Sequence, residues 1–260
     1  FMSRAHETVR TQTAAVIFGE AQSCASCNNI TVQPIGQAGS YTADDRTVAA
    51  YAMTDWGFGS RVRVITGARF EQARINVFSS TQGGFTADAK LDNGDVLPSL
   101  LVNTKITESQ NLRFGITRTL ARPEYRELAP VTFRGVSVTG NDKLVRALID
   151  NLDLRWELFP NPGEVVSIGV FAKQFDRPIE RLESATSGAY QARFQNAVEA
   201  RNYGVELEVR KQMSFLGSWA DPFTVFSNAT VMSSNVKLDT LQLISVTDRS
   251  RRLVGQAPYV

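Results

Sequence analysis

The residues able to do chemistry in this sequence are few, and their spacing is poor for catalysis. His6 is the only histidine, so a Ser–His–Asp arrangement has one possible base, and no partner pattern surrounds it. Cys24 and Cys27 form a single CxxC in SCASCNN. A structural zinc site needs a second ligand pair, and a redox CxxC is expected beside a βαβ pattern. Neither accompanies this one, so a local disulfide in an exposed loop is the favoured reading, in an oxidising compartment. Phosphate-binding loops and metal-ligand clusters are absent from the sequence, so no metal and no cofactor is expected. Asp and Glu are abundant, but pairs two apart on strands arise by chance. That leaves arginine. Arg118, Arg122, Tyr125 and Arg126 stand where a strand gives way to a long polar connection. Guanidinium groups there suit an anionic ligand, because they pair with carboxylate or phosphate in a fixed fork; holding loops together is the ordinary alternative. Arg249, Arg251 and Arg252 form a second basic cluster open to the same two readings.

Composition sets the frame for these side chains. The chain has 260 residues, 43% hydrophobic and 21% charged, the profile of a folded protein. A net charge of +2 gives no reason to expect nucleic acid as a partner. No apolar run reaches the ~18 residues of a membrane-crossing helix. Strands of a membrane barrel need only about 10 residues of alternating character, so a barrel stays open. No secretory signal is visible, Phe1 begins mid-pattern and the sequence stops at Gln256–Val260; both ends read as cut, and the chain as a fragment.

The elements that must position the arginines are strands. In Asn151–Lys173, Leu152, Leu154, Trp156 and Leu158 alternate with Asp153, Arg155 and Glu157. After the turn Pro160–Gly163, Val166, Ile168, Val170 and Ala172 alternate with Ser167, Gly169 and Phe171. Further strands are predicted over Thr47–Trp56, Ser60–Phe78, Leu97–Thr107, Asn111–Leu120, Tyr190–Arg210 and Phe223–Val236, with a weak one before Phe18. Long polar connections are predicted at Gly19–Asp44, Ser79–Asp95, Ala121–Ile149, Asp176–Gly188 and Lys237–Val254. Helical periodicity is scarce: the best candidate is Asp142–Asp150, inside a long connection, which reads equally as irregular. Short turns at Gly57, Ser109 and Pro162, and a moderate one near Gly217, alternate with the long connections. In an up-and-down antiparallel sheet this puts tight turns at one end and loops at the other, the asymmetry of outer-membrane barrels. In a barrel Arg63, Arg69, Arg113, Arg155 and Glu206 line the interior and Leu152, Leu154, Trp156 and Leu158 meet lipid; in a β-sandwich the apolar faces pack on each other. Trp56, Phe58, Phe159, Phe215 and Trp219 gather at the short-turn end, as an interfacial girdle or as turn packing.

Several stretches resemble the C-terminal barrel region of TonB-dependent outer-membrane receptors. They are Tyr41–Trp56 with Arg61–Glu71 (ending in G-x-R-x-E form), Leu112–Pro130 with its "ARP" strand end, and Gly140–Glu157. Asn196–Lys211 (N-x-x-x-A-x-x-x-G-x-E-x-E) and Arg251–Val260 (ending GQAPYV) complete the set. The order matches the family's. Gly140–Glu157 departs from it by lacking a proline after Asn141 and by having Arg146 where proline is common.

The resemblance implies an all-β, antiparallel up-and-down transmembrane barrel, partial here, with eight or nine strands of a larger one. Residues 1–260 are then one partial barrel domain, 1–40 a strand end and extracellular loop, with plug, TonB box and terminal strands absent. It implies transport, not catalysis: TonB-energised import of a siderophore, cobalamin or oligosaccharide across the outer membrane of a Gram-negative bacterium. Partners would be outer-membrane lipid and lipopolysaccharide, the ligand, and the TonB complex through the plug. Arg122 and its neighbours would contact ligand, plug, loops or lipopolysaccharide phosphates. The alternative from another class is a soluble or surface-attached β-sandwich for adhesion or carbohydrate binding; a β-rich hydrolase is third.

Overall fold

The computed structural model describes residues 41–80, 86–129, 137–186, 189–238 and 250–260. Cys24, Cys27, His6, Arg249 and the strand expected before Phe18 lie outside the described residues. In chain order the strands are β1 Tyr41–Phe58, β2 Val62–Ser80, β3 Thr86–Thr107, β4 Gln110–Ala121, β5 Ser137–Thr139, β6 Ala147–Leu158 and β7 Val165–Asp176. They continue as β8 Ile179–Thr186, β9 Ala189–Asn196, β10 Glu199–Gln212, β11 Thr224–Lys237 and β12 Ser250–Arg251, and a single helical turn, α1, spans Tyr125–Leu128. A 9-stranded antiparallel sheet runs β1-β2-β3-β4-β6-β7-β10-β11-β12. A 3-stranded sheet runs β5-β9-β8. Pro258 and Val260 bond to Met232 and Thr230, so the chain returns to the large sheet beside β11.

Register sorts the large sheet into two faces. Opposite Leu154 lie Phe114 on β4 and Val170 on β7, and opposite Val170 lies Val205 on β10. The same row runs on through Val231 on β11. On the other flank Val102, Val64 and Trp56 share that face on β3, β2 and β1. This apolar face is uncovered: Leu152 is 45% exposed, Leu154 41%, Ile168 43%, Val205 40% and Leu207 48%. No second sheet among the described residues packs on it, so the sandwich reading fails. The opposite face holds Arg63, Arg113, Arg155, Glu157 and Glu208 and is called the inner face below.

The apolar band has the height of a bilayer core. On β10 it is bounded by Arg201 above and Lys211 below, ten residues on. At about 3.3 Å per residue that is about 33 Å of strand, and a tilt near 40° leaves about 25 Å. At the lower border Lys211 pairs with Glu164 at 2.8 Å, and the Trp156 indole N–H donates to Gln110 at 3.1 Å. Trp56, Phe58, Phe215 and Trp219 are exposed at this short-turn end. The Pro160–Gly163 turn closes with Gly163 at φ 82°, a backbone conformation that glycine adopts without Cβ strain.

Above the band the polarity inverts. The outer face of β2 and β3 turns polar, with Arg74 paired to Asp92 at 2.9 Å. The inner face turns apolar: Ile75, Val77, Ala89 and Leu91 are buried against Leu128, Ala129 and Leu144, with Ile179 and Phe194 at the margin. A second cluster joins Ala197, Ala200, Val236 and Leu238 to Leu182 and Leu253. Loop segments and the small sheet thus cap the inner face at the long-connection end.

Five expected boundaries change. Thr86–Asp95, expected as loop, is strand, because β2 supplies a continuous ladder of partners up to Ser80↔Thr86; Asn93-Gly94 runs straight through. Tyr41–Asp44 likewise belongs to β1. Asp142–Asp150 is not helical: the Asn141 carbonyl and side-chain oxygen accept Leu144 and Lys143 N–H in a turn, and Ala147 begins β6. The Asp176–Gly188 loop contains β8, and Tyr190–Arg210 is two strands, broken at Ala197-Val198 where the chain crosses from the small sheet to the wall.

Candidate functional site

The inner face at its capped end is built around two carboxylates. Glu71 on β2 and Asp95 on β3 are directly opposed in the ladder. Opposed side chains have Cβ atoms about 5 Å apart, and like charges there are destabilising. Arginines from three segments neutralise the pair. Arg69 Nε donates to Glu71 at 2.6 Å from the same strand. Arg122, just past β4, donates to the other Glu71 oxygen at 2.6 Å. Arg146, just before β6, donates to both Asp95 oxygens at 2.6 Å. The connection from β4 to β6 is therefore hooked at both ends onto one carboxylate pair. Asp95 is 4% exposed, so its charge depends on Arg146.

Between the hooks, α1 is set by local chemistry. Glu124 and Glu127 form a capping box. Burial pushes the Glu127 carboxyl above its ordinary value. The Tyr125 hydroxyl donates to Asp45 of β1 at 2.9 Å, and that bond raises the phenol. Gly140 is required by close approach: a Cβ there would lie 2.0 Å from the Ala129 carbonyl oxygen. The Asn141 amide donates to the Phe194 carbonyl at 3.1 Å, and Leu144 fills the core beneath. Asn196 finishes the clamp; its side chain accepts from Val145 N–H at 2.9 Å and donates to the Val145 carbonyl at 2.8 Å. On the far side Arg251 donates to Glu180 of β8 at 2.7 Å, and burial, opposed by that arginine, raises Glu180.

The four residues singled out from sequence do not form one cluster. Arg122, Tyr125 and Arg126 border an open pocket of about 630 Å³ with Tyr41, Asp45 and Ile75. Arg122 Nε is buried there with no hydrogen-bond partner among the described residues. Arg118 lies on the outer face, where its guanidinium holds both oxygens of Asp150, at 2.6 and 2.8 Å. Sequence reasoning missed Asp95, Asn196 and Gly140. Gly140 and Asn196 open two of the stretches quoted above, and Arg146 is a departure within one of them.

Deeper along the inner face a second network crosses four strands. Glu157 takes Arg113 at 3.0 Å and Arg155 at 3.2 Å, and Arg155 also pairs with Glu208. Arg63 grips Asp55 at 2.9 Å. Among the described residues no group of three or more His, Cys, Asp or Glu is placed to hold a metal ion.

A family model described as TonB dependent receptor-like, beta-barrel, matches residues 12–256. No curated protein matches by sequence. Among solved structures, the ferric yersiniabactin uptake receptor FyuA from Yersinia pestis aligns with TM-score 0.57 and 17% identity, over 84% of this chain and 30% of that one. The ferric-catecholate import receptor Fiu from E. coli K12 aligns with TM-score 0.57 and 13% identity, over 80% and 31%. The siderophore receptor PirA from Pseudomonas aeruginosa gives 0.51 and 13%, over 77% and 46%. The chain thus spans about a third to a half of the length of these structures.

Proposed function

The chain belongs to the TonB-dependent receptor β-barrel family, and from that premise we propose that it supplies wall and extracellular cap to an importer of a scarce, large nutrient. The family consists of outer-membrane receptors and transporters of Gram-negative bacteria, not enzymes, and the chain is an outer-membrane barrel segment. The observation that carries the proposal is the pairing of an uncovered apolar band about 25 Å tall with an ion-paired inner face. That combination suits a wall between lipid and a filled lumen. The ligand is taken at the capped end, where Arg122, Tyr125 and Arg126 border the open pocket. A ligand with carboxylate, catecholate or phosphate oxygens suits that donor set, as a ferric chelate does, and the solved neighbours include ferric-chelate receptors. Energy reaches the ligand through TonB and the plug of the intact protein.

The test is uptake by cells carrying or lacking the gene, with iron-radiolabelled catecholate and hydroxamate chelates, labelled cobalamin and labelled oligosaccharide as probes. Saturable uptake of one probe, lost without TonB or without the protein, is expected. Uptake of every probe that is indifferent to the gene overturns the proposal.

A further inference from the structure

The small sheet is tied to the returning end of the chain through one buried carboxylate. Glu180 on β8 is 4% exposed and lines an open pocket of about 500 Å³ between the cap and the inner face. Arg251 of β12 donates to Glu180 at 2.7 Å, and the Val254 backbone N–H bonds to it as well. The other bond from Arg251 to β8, to the Arg181 carbonyl, is long at 3.3 Å. Leu253, Val254, Gly255 and Gln256 line the same pocket, so the carboxylate pins one stretch of its wall to another. Directly opposite Glu180 in the β8–β9 ladder stands Gln195, on the same face of the small sheet. Gln195 is 6% exposed, and its Oε1 is buried with no hydrogen-bond partner among the described residues. A buried acceptor without a donor is costly. An ionised Glu180 cannot relieve it, because a carboxylate only accepts. A protonated Glu180 can, because it carries an O–H.

We propose that Glu180 is a proton-operated clasp on this pocket: ionised, it holds Arg251 and Val254 against the cap; protonated, it donates to Gln195 and frees the 251–256 stretch. The proton comes from water in the open pocket and returns there. The clasp rests on the importer reading only for its use, which is to open the space beneath the cap under mild acid. Burial raises the Glu180 carboxyl, and Arg251 opposes that rise. Once detached from Arg251, Glu180 therefore holds its proton more tightly, so acid favours the detached form. Glu124, Glu127 and Arg122 are the other charged groups on the pocket. An ionised Glu127 also favours a protonated Glu180, and Arg122 is engaged by Glu71. Arg193, two residues along β9 from Gln195, is exposed. Phe175, Asn202, Ala147 and Ile149 on the wall strands bring no charge to the pocket.

The test follows hydrogen exchange of the Val254 amide in the intact, detergent-solubilised protein from neutral to mildly acid pH, corrected for the intrinsic rate. Wild type is expected to lose protection there about tenfold toward acid, as loss of about 1.4 kcal/mol does. Glu180→Gln cannot ionise and is expected to show the low, acid-like protection at every pH. Arg251→Gln, on the part-exposed side of the clasp, is expected to do the same without touching the small sheet. Gln195→Leu removes the waiting acceptor, so its loss of protection is expected to move to lower pH while protection at neutral pH stays. Val254 protection that is flat with pH in wild type overturns the clasp. So does a wild-type profile in Arg251→Gln or in Gln195→Leu. The exchange needs no ligand, which separates the two readings. If no probe is imported but Val254 follows pH as stated, the importer reading falls and the clasp stands; if a probe is imported and Val254 is flat, only the clasp falls.

Discussion

Replacing Arg146 with alanine tests the double hook most directly. Asp95 is buried, receives both its bonds from Arg146, and faces Glu71 across the ladder. Without Arg146 a charged carboxylate stays in a site that water barely reaches, with a second carboxylate opposite. Breaking a buried pair by removing one partner costs about 3–5 kcal/mol, mostly the penalty of the charge left behind. The cost falls on the segment that Arg146 anchors, from Asn141 to Ala147, and not on the lipid-facing wall. The assay is hydrogen exchange of those backbone amides in the detergent-solubilised intact protein. A loss of 3 kcal/mol accelerates exchange by about two powers of ten, and 5 kcal/mol by more than three. Asp95→Asn combined with Arg146→Ala removes the stranded charge and is expected to recover most of the protection. The reasoning is refuted if Arg146→Ala leaves exchange within threefold of wild type. It is equally refuted if the double variant is as unprotected as the single, since the penalty would then not come from Asp95.

Three further outcomes follow from other parts of the molecule. Gly140→Ala drives a methyl into the Ala129 carbonyl, so α1 and Leu128 are expected to undock at a cost of about 1–3 kcal/mol, seen as new protease cleavage after α1; an unchanged digest contradicts the close approach. Val205→Arg, on the lipid face, is expected to cost about 2–4 kcal/mol in urea titrations of vesicle-inserted protein, while Glu206→Arg, one residue on and facing inward, costs less than 1 kcal/mol; equal costs contradict the face assignment. Glu180 binds its proton more tightly folded than unfolded, because burial raises it above the ordinary 4.5. Between that value and the raised one the folded state holds more protons, so stability around β8 falls as pH rises through the window. Exchange of the β8 amides across mildly acid to neutral pH is expected to show this slope, and Glu180→Gln to flatten it.

The wall was legible because lipid and a polar lumen impose one uninterrupted period of two. Leu152 to Leu158 alternate without exception and Val166 to Ala172 with Phe171 as the one apolar residue on the inner side, and the structure puts them where alternation does. The capped end was not legible, because there the outside is water. In Thr86–Asp95 the outward residues are polar and the inward ones run Ala87, Ala89, Leu91, Asn93 and Asp95, a stripe with one large apolar residue that reads as loop beside Asn93-Gly94. Ile179–Leu182 has two charged residues in succession between its apolar ones, so β8 left no period-two trace. At Ala197-Val198 the apolar pattern continues while the chain changes sheets, so one strand was read for two. The arginines were visible as arginines, but their partners were not: Glu71 and Asp95 are 24 positions apart in sequence and meet only through the ladder. Arg146 stands where the family commonly has proline. Its reason is the carboxylate it reaches.

The inversion of polarity along β2 and β3 also bears on the order in which the molecule assembles. The lower part of that hairpin is stabilised by the bilayer as soon as its strands pair. The upper part depends on Leu128, Leu144, Ile179 and Phe194, the last of which lies 119 positions beyond Ile75 in the chain. Closing contacts over such separations is entropically slow. One hairpin is therefore expected to set in two stages, the span early and the tip late. Pulse-labelled exchange during refolding would see protection at Ile65 precede protection at Ile75.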